Sequence, residues 1–384
     1  MIAKIYPDNH PDLQEKRDPT HPVRYFDIRK LTEGECLRLM DVPDVDIVKL
    51  CQNKELSKSA IYKLAGNSIV VSCLYHIFRN IWLTEDEQSE EMTFFPEPTF
   101  RAPLPDKIRL VTLCSGYDSQ AIAMQRLIET ANRGGGQNTT YELMAWAEYD
   151  PEKPKTPLAK QPAVIAHNTL FPQWKDRNLG DMTKINWKAF HASLLERGEA
   201  DIDLLTYSTP CQSISQAGKR EGLKKDSGTR SSILWYTEEA IRVLRPKFLL
   251  QENVKALVNK LNIDDFKQWQ KVCTDCGYEN YWAVLNAKDY GVPQNRERVF
   301  MLSVRKDLDM PTYRFPKGFK LMKCIADILD EEVDSSYFLK PESVINFLKR
   351  NETDTTAEIY YTVTDHKLTD EEIAAIRKSG DSQK

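Results

Sequence analysis

Short apolar runs alternate with amphipathic stretches along the chain from residue 108 onward. The apolar runs predict strands at 108–114, 141–147, 201–206, 247–251, 278–286 and 298–305. Helices are predicted between them, at 121–132, 162–168, 231–244 and 266–276. Strands that alternate with helices favour the α/β class and a doubly wound sheet, in which ligands bind beyond the carboxyl ends of the strands.

The first third of the chain has a different pattern. Helical signals dominate from Ile28 to Trp82, and Thr32 with Glu35 three residues later predicts a capping box at a helix start. Residues 84–107 are acidic at first and then rich in proline, which is typical of a linker. We therefore expect the helical segment and the α/β segment to be joined by 84–107.

The composition is that of an ordinary globular protein: 41% of the 384 residues are hydrophobic and 29% are charged. No apolar run approaches the roughly 18 residues of a membrane span, and no secretion signal is recognisable, which predicts a cytoplasmic protein without membrane contact. The eight cysteines are scattered, as in reducing compartments. Cys273 and Cys276 form an isolated C-x-x-C pair, too few ligands for zinc, so no metal is expected.

Basic side chains are concentrated in one segment, although the net charge is −4. A protein that binds nucleic acid needs a basic face and not a basic total. The candidate DNA contacts in this segment are Lys219, Arg220, Lys224, Lys225 and Arg230. The alternative is an ordinary solvated loop.

Polar residues follow the predicted strands where each strand ends. Gly116 lies in the turn after the first strand, and Glu148 follows the second, a layout typical of nucleoside-binding sites. Cys211 and Glu252 follow two later strands, which adds a thiol and a carboxyl at the same edge, as a covalent enzyme requires. Taken alone, Cys211 fits a buried structural thiol better than a nucleophile.

Three motifs give this edge a family resemblance: PCQ at 210–212, ENV at 252–254 and QNRER at 294–298. In this order, with TRSS at 229–232 between the first two, they resemble the DNA (cytosine-5) methyltransferases. The resemblance covers roughly 30–82 and 108–340. It implies a Rossmann-like S-adenosylmethionine-dependent methyltransferase sheet with a small recognition lobe. It also implies methylation of carbon 5 of cytosine in a specific duplex DNA sequence, after the base is flipped out.

The resemblance implies a role for each matching residue. Cys211 would be the nucleophile that adds to carbon 6 of cytosine, and Glu252 would hold the N3 and amino edge of the ring. Arg298 would contact the same base, Arg296 would order the site beside it, and Gln212 would flank the flipped base. The residues expected to bind S-adenosylmethionine are Cys114, Ser115, Gly116, Tyr117, Asp118, Ser119, Glu148, Asp181, Met182, Pro210, Asn67 and Ser68.

Two features depart from the family pattern. The first loop of the family usually reads Phe-x-Gly-x-Gly, but here Cys114 replaces the phenylalanine and Asp118 the second glycine. A carboxylate there would either help to hold the cationic cofactor or crowd the loop. In addition, the segments at 29–32 and 65–68 resemble those that normally close the catalytic domain, yet they come first. The chain is therefore expected to be circularly permuted.

The expected domains follow from this order. They are 1–28 as the N-terminal part of a recognition lobe, 29–83 as the permuted segment, 84–107 as the linker, 108–315 as the catalytic core and 316–384 as the C-terminal part of the lobe. The candidate partners are double-stranded DNA, a second subunit that supplies further target recognition, and an associated restriction endonuclease. Two other functions fit the motifs: a tRNA cytosine-5 methyltransferase, and a catalytically silent DNA-binding relative.

Overall fold

The computed structural model describes residues 2–5, 26–83, 102–133, 138–210, 230–339 and 361–362. The chain divides into two compact units, Leu37–Lys323 and a second unit made of Met1–Cys36 with Cys324–Lys384. In the described part of the chain, no helix combines the length and the apolar character needed to cross a bilayer.

The unit built from both ends of the chain has a small three-stranded sheet. Its strands are β1 (Ile2–Ile5), β2 (Phe26–Arg29) and, from the other end of the chain, β9 (Tyr361–Thr362). β1 lies in the middle, antiparallel to β2 and parallel to β9. The two ends of the chain therefore share one sheet.

The predicted capping box is present next to β2. The Glu35 N–H donates to Thr32 Oγ1 at 3.1 Å and the Thr32 N–H donates to Glu35 Oε2 at 2.8 Å, at the start of helix α1 (Glu33–Arg38). Glu35 is fully buried and also accepts from both terminal nitrogens of Arg29 and from the Asp330 N–H. These bonds explain why this unit extends to Cys36 and begins again at Cys324, whereas the sequence suggested boundaries at 28 and 316.

The larger unit is organised around a six-stranded sheet with the order β4-β3-β5-β6-β8-β7. Its strands are β3 (Lys107–Leu113), β4 (Thr140–Ala147), β5 (Leu204–Tyr207), β6 (Phe248–Val254), β7 (Tyr278–Asn286) and β8 (Glu297–Arg305). The first four are mutually parallel, and β8 runs antiparallel to both β6 and β7. The predicted α/β class and doubly wound sheet are confirmed.

Helices cover this sheet. They are α2 (Asp44–Gln52), α3 (Lys58–Asn67), α4 (Val71–Trp82), α5 (Ser119–Asn132), α6 (Pro162–Leu170), α7 (Trp187–Glu196), α8 (Thr237–Leu244) and α9 (Ile263–Asp275). α4 packs against α5, and its residues Ile77, Phe78 and Ile81 are fully buried. Burying each such side chain contributes about 1.5–3 kcal/mol, so this face attaches the N-terminal helices to the α/β core.

Two strand boundaries differ from the predicted ones by three residues, and the others agree to within one residue. β5 begins at Leu204 and not at 201, because Asp203 uses its carboxylate to accept from the Arg109 N–H and from Lys247 Nζ, both at 2.8 Å. β6 continues to Val254, since its last residues pair with β8. Glu252 therefore lies within a strand and not beyond its end.

Candidate active site

The carboxyl ends of the parallel strands β3, β4, β5 and β6 open into one cavity of about 720 Å³. Its walls include residues 66–69, 114–117, 147–151, 180–183, 208–210 and 252–254, with Arg296 and Arg298 from the start of β8. Parallel strands place their carboxyl ends at one edge of a sheet, which is why segments far apart in sequence meet here. The junction between α3 and α4 supplies the wall at 66–69.

The loop after β3 turns sharply into the cavity wall. Cys114, Gly116 and Asp118 all have left-handed backbone conformations, with φ of 54°, 60° and 71°. Glycine takes this conformation without strain, and aspartate tolerates it better than most residues. The turn directs the Gly116 N–H toward Glu148, whose Oε2 accepts it at 2.8 Å.

Asp118 does not reach the cavity, contrary to the expectation for the cofactor loop. Its side chain is fully buried, and the carboxylate accepts from Thr112 Oγ1 at 2.7 Å and from the Ala121 N–H at 3.0 Å. It therefore caps α5 from inside the core. Ser119, the first residue of that helix, is buried as well, and in the described part of the chain neither residue lines the cavity.

Glu148 follows β4 and lies against the cavity. Burial raises its pKa to about 7; the Gly116 N–H lowers it, while Asp150 and Asp118 raise it further. A carboxyl with this pKa exchanges its proton near neutral pH. In its ionised form it accepts hydrogen bonds from a hydroxyl-bearing ligand.

Asp181 and Met182 line the neighbouring wall. Asp181 accepts from the N–H and hydroxyl of Thr183 at 3.1 and 2.8 Å, and it pairs with Lys184 at 3.2 Å. Although burial acts to raise the pKa of Asp181, these hydrogen bonds hold it below the usual value. Met182 Sδ lies 3.3 Å from Cys114 Sγ, so two sulfur atoms form part of the wall.

Glu252 and Arg298 form an ion pair at the other side of the cavity. Arg298 Nε lies 3.1 Å from Glu252 Oε1, and the two side chains are 22% and 11% exposed. Arg298 is opposite Val254 in the β6–β8 register, which puts it diagonally across from Glu252 on the same face of the sheet. Burial raises the pKa of Glu252, and the positive charges of Arg298 and Arg296 partly offset that rise.

Several polar atoms of the cavity wall lack a partner within the described residues. They are Ser115 Oγ, Gln120 Nε2 and Thr209 Oγ1, each of which is buried. Buried polar groups in folded proteins are nearly always hydrogen-bonded, so unpaired atoms around one cavity indicate a site for a polar ligand. Together with Glu148, they fit a nucleoside-like group such as that of S-adenosylmethionine.

Comparison with known proteins identifies the family. The family model of the C-5 cytosine-specific DNA methylases matches residues 111–383. The chain belongs to this family. It is 41% identical over 169 residues to the type II methyltransferase M2.ScrFI of Lactococcus lactis subsp. cremoris, a match that covers 44% of each chain. It is 39% identical over 194 residues to the orphan methyltransferase M.SssI of Spiroplasma monobiae, covering 50% of this chain and 46% of that one.

These matches span less than half the length of either relative. In this family member, the structure brings most of the predicted site residues to one cavity. The predicted residues that line it are Asn67, Ser68, Cys114, Ser115, Gly116, Tyr117, Glu148, Asp181, Met182, Pro210, Glu252, Arg296 and Arg298. The cofactor side and the base side of the predicted site are therefore parts of one space.

The remaining predicted residues cannot be placed at the cavity. Cys211, Gln212, Lys219, Arg220, Lys224 and Lys225 lie outside the described residues. Arg230 opens a 3-10 helix, Arg230–Tyr236, whose first side chains are likewise not described. Pro210, directly before Cys211, is a wall residue of the cavity.

The structure also adds a residue that sequence reasoning missed. Lys63 of α3 lines the cavity and lies 3.9 Å from Asp150 and 3.4 Å from Glu152, two of the three acids that follow β4. A lysine on a helix usually indicates a solvated face, so no sequence signal marked it. Gln120 could have been found, because it directly follows the predicted loop.

Proposed function

We propose that this protein transfers a methyl group from S-adenosylmethionine to carbon 5 of cytosine in a specific duplex DNA sequence. The observation that carries the proposal is the single cavity shared by the Gly116–Glu148 side and the Glu252–Arg298 side. Methyl transfer requires a donor and an acceptor in contact, and a cavity lined by both sets of residues suits that requirement.

The cofactor would be held by the walls around β3 and β4, and when bound it supplies the methyl group. Glu148 would accept hydrogen bonds from the ribose hydroxyls. Ser115 Oγ and Gln120 Nε2 are buried and unpaired within the described residues, and they would bind polar atoms of the same ligand. Asn67 and Ser68 would cover it from the α3–α4 junction.

The base would enter on the side of Glu252 after flipping out of the duplex, since the ring carbons are unreachable inside the stack. The Cys211 thiolate would add to carbon 6, which makes carbon 5 electron-rich enough to take the methyl group from the sulfonium sulfur, with S-adenosylhomocysteine as the leaving group. Glu252 would hold the N3 and amino edge. Burial raises the pKa of Glu252, so this carboxyl would take up a proton more readily than an exposed one and donate it to N3 as charge builds on the ring. Loss of the carbon 5 proton would then allow the thiolate to leave.

Target recognition would come from the unit assembled from both chain ends, which share the sheet of β1, β2 and β9. In this proposal the chain would be circularly permuted, because residues 29–83 would come before the catalytic core. The basic residues from Lys219 to Arg230 would contact phosphates beside Cys211. A second recognition subunit and a paired restriction endonuclease are further partners to be tested.

The decisive experiment offers labelled S-adenosylmethionine to the purified full chain with duplex DNA and, separately, with tRNA. Label is expected in DNA at one short sequence, and C211S is expected to abolish transfer while retaining cofactor binding. DNA with 5-fluorocytosine should trap wild type covalently, because fluorine blocks the proton loss. Transfer to tRNA alone would establish the RNA alternative, and absence of cofactor binding would establish a silent relative. Sequence-specific transfer only after addition of another subunit would establish a split enzyme.

A further inference from the structure

Arg296 lies directly before β8 and reaches the end of a helix about 230 residues earlier in the chain. Its Nη2 donates to the main-chain carbonyl of Gly66 at 2.9 Å and to that of Ser68 at 2.8 Å. Gly66 lies in the last turn of α3, and Ser68 is the residue that caps it. One guanidinium nitrogen therefore holds both sides of the turn that forms the cavity wall at 66–69.

The end of α3 needs such a donor. The last carbonyls of a helix have no partner within the helix and carry its partial negative charge. The Ser68 N–H and the Ser68 hydroxyl both donate to the Ala65 carbonyl. The carbonyls of Gly66 and Ser68 accept from Arg296 instead. α3, which is described throughout, has no basic residue in its own last turn, so Arg296 supplies the cation from another element.

We infer that Arg296 is a positioning residue that fixes the 66–69 wall over the cofactor side of the cavity. The inference rests on the proposed function, in which Asn67 and Ser68 cover S-adenosylmethionine. Arg296 is also two residues from Arg298, which pairs with Glu252. Residues 296–298, where β8 begins, therefore contact both the proposed base-binding side and the wall of the cofactor side.

Positioning the 66–69 wall is a different role from contacting the cytosine directly. A lysine variant of Arg296 distinguishes these two roles. R296K keeps a positive charge near Glu252 but replaces the planar guanidinium by a single ammonium group. Because the hydrogen bonds to the carbonyls of Gly66 and Ser68 become weaker, the dissociation constant for S-adenosylhomocysteine is expected to rise about tenfold. The turnover number at saturating cofactor and DNA should fall by a smaller factor than the affinity, because the charge beside Glu252 remains.

A matched control exists on the same strand. Arg305, at the far end of β8, also donates to a main-chain carbonyl at a helix end, that of Arg245, and it pairs with Asp307. In the described residues it does not line the cavity. R305K is therefore expected to leave the dissociation constant for S-adenosylhomocysteine unchanged. R296Q, which is too short to reach either carbonyl, serves as the second variant if R296K does not fold.

Hydrogen exchange gives a readout that needs neither cofactor nor turnover. The amides from Ser68 to Val71 should exchange about tenfold faster in R296K than in wild type, and at the wild-type rate in R305K. Unchanged exchange there, or a lower turnover number with an unchanged dissociation constant, would overturn the inference. If wild type failed to bind S-adenosylhomocysteine, the proposed function would fail, and the exchange rates would still decide whether Arg296 holds this wall.

Discussion

Cofactor affinity should depend on pH through one partly buried carboxyl, that of Glu148. Its pKa is raised to about 7 by burial, and the ionised form is the one that accepts hydrogen bonds from a ribose. With that pKa, about 90% of the carboxyl is ionised at pH 8 and about 10% at pH 6. The affinity for S-adenosylhomocysteine should therefore fall about tenfold between pH 8 and pH 6.

Isothermal titration calorimetry with S-adenosylhomocysteine between pH 6 and pH 8 measures this dependence without turnover. E148Q should bind about tenfold to a hundredfold more weakly at pH 8, because an amide loses the charge-assisted hydrogen bonds. Its affinity should be independent of pH through this range. Neighbouring groups do not mimic the effect: burial holds the pKa of Cys114 far above the range, and the hydrogen bonds of Asp181 outweigh its burial and keep its pKa low.

Glu142 provides the control because it lies at the start of the same strand, away from the cavity. Burial acts to raise its pKa, but Arg177 and Lys107 outweigh that effect and keep it below the usual value. E142Q should keep the wild-type pH profile. A wild-type affinity that does not change between pH 6 and pH 8, or an E148Q profile with the wild-type slope, would refute the role of Glu148.

The same carboxyl has a consequence for stability. The folded pKa of Glu148 lies above the unfolded value of 4.5, so the folded state binds the proton more tightly. Its contribution is present below the unfolded pKa and is lost as the pH rises through the folded pKa. Without cofactor, the free energy of unfolding should therefore fall between pH 4.5 and pH 7, by on the order of 3 kcal/mol, and E148Q should remove this fall.

Three further perturbations test other parts of the site. E252Q should slow methyl transfer about a hundredfold while duplex affinity, measured by filter binding, changes little; the reverse result would make Glu252 a binding residue only. D118A should lower the free energy of unfolding in urea by about 1–2 kcal/mol through loss of the α5 cap, and D118N by clearly less; equal losses would contradict the capping role. Replacing Lys224 and Lys225 by alanine should make DNA affinity less dependent on salt. The slope of log affinity against log salt concentration should become shallower by about 0.9 for each lost phosphate contact. An unchanged slope would indicate that this segment is a solvated loop without DNA contacts.

The sheet was predictable because strands of a parallel sheet are buried on both faces and read as apolar runs. All six strands of the large sheet were found, and their carboxyl ends indicated where the cavity lies. Glu148 and Glu252 could be named for the same reason, as acids near the carboxyl ends of strands that share one edge.

The hydrogen-bond partners of individual side chains could not be predicted in this way. Asp118 was assigned to the cofactor, but its backbone conformation turns the carboxylate inward to Thr112 and the start of α5. The side-chain direction depends on one left-handed φ angle, which the sequence does not specify. The hydrogen bonds of Arg296 to the carbonyls of Gly66 and Ser68 were also unpredictable. Every residue has a main-chain carbonyl, so the residue type does not indicate which one accepts a hydrogen bond.

The proposed permutation becomes physically reasonable when the attachments of the N-terminal helices are considered. Ser72 Oγ donates to the Tyr290 carbonyl at 2.6 Å, Asp41 pairs with Arg126 at 2.6 Å, and α4 packs its buried face against α5. Each of these contacts depends on the position of the helices in the fold and not on whether they come before or after the core in the sequence. Loop-closure entropy changes by only about 0.6 kcal/mol for each doubling of loop length, which is less than the burial of one large apolar side chain contributes. A wall of the cavity can therefore be contributed by a segment that comes before the core in sequence, provided that its packing face and its polar anchors are retained.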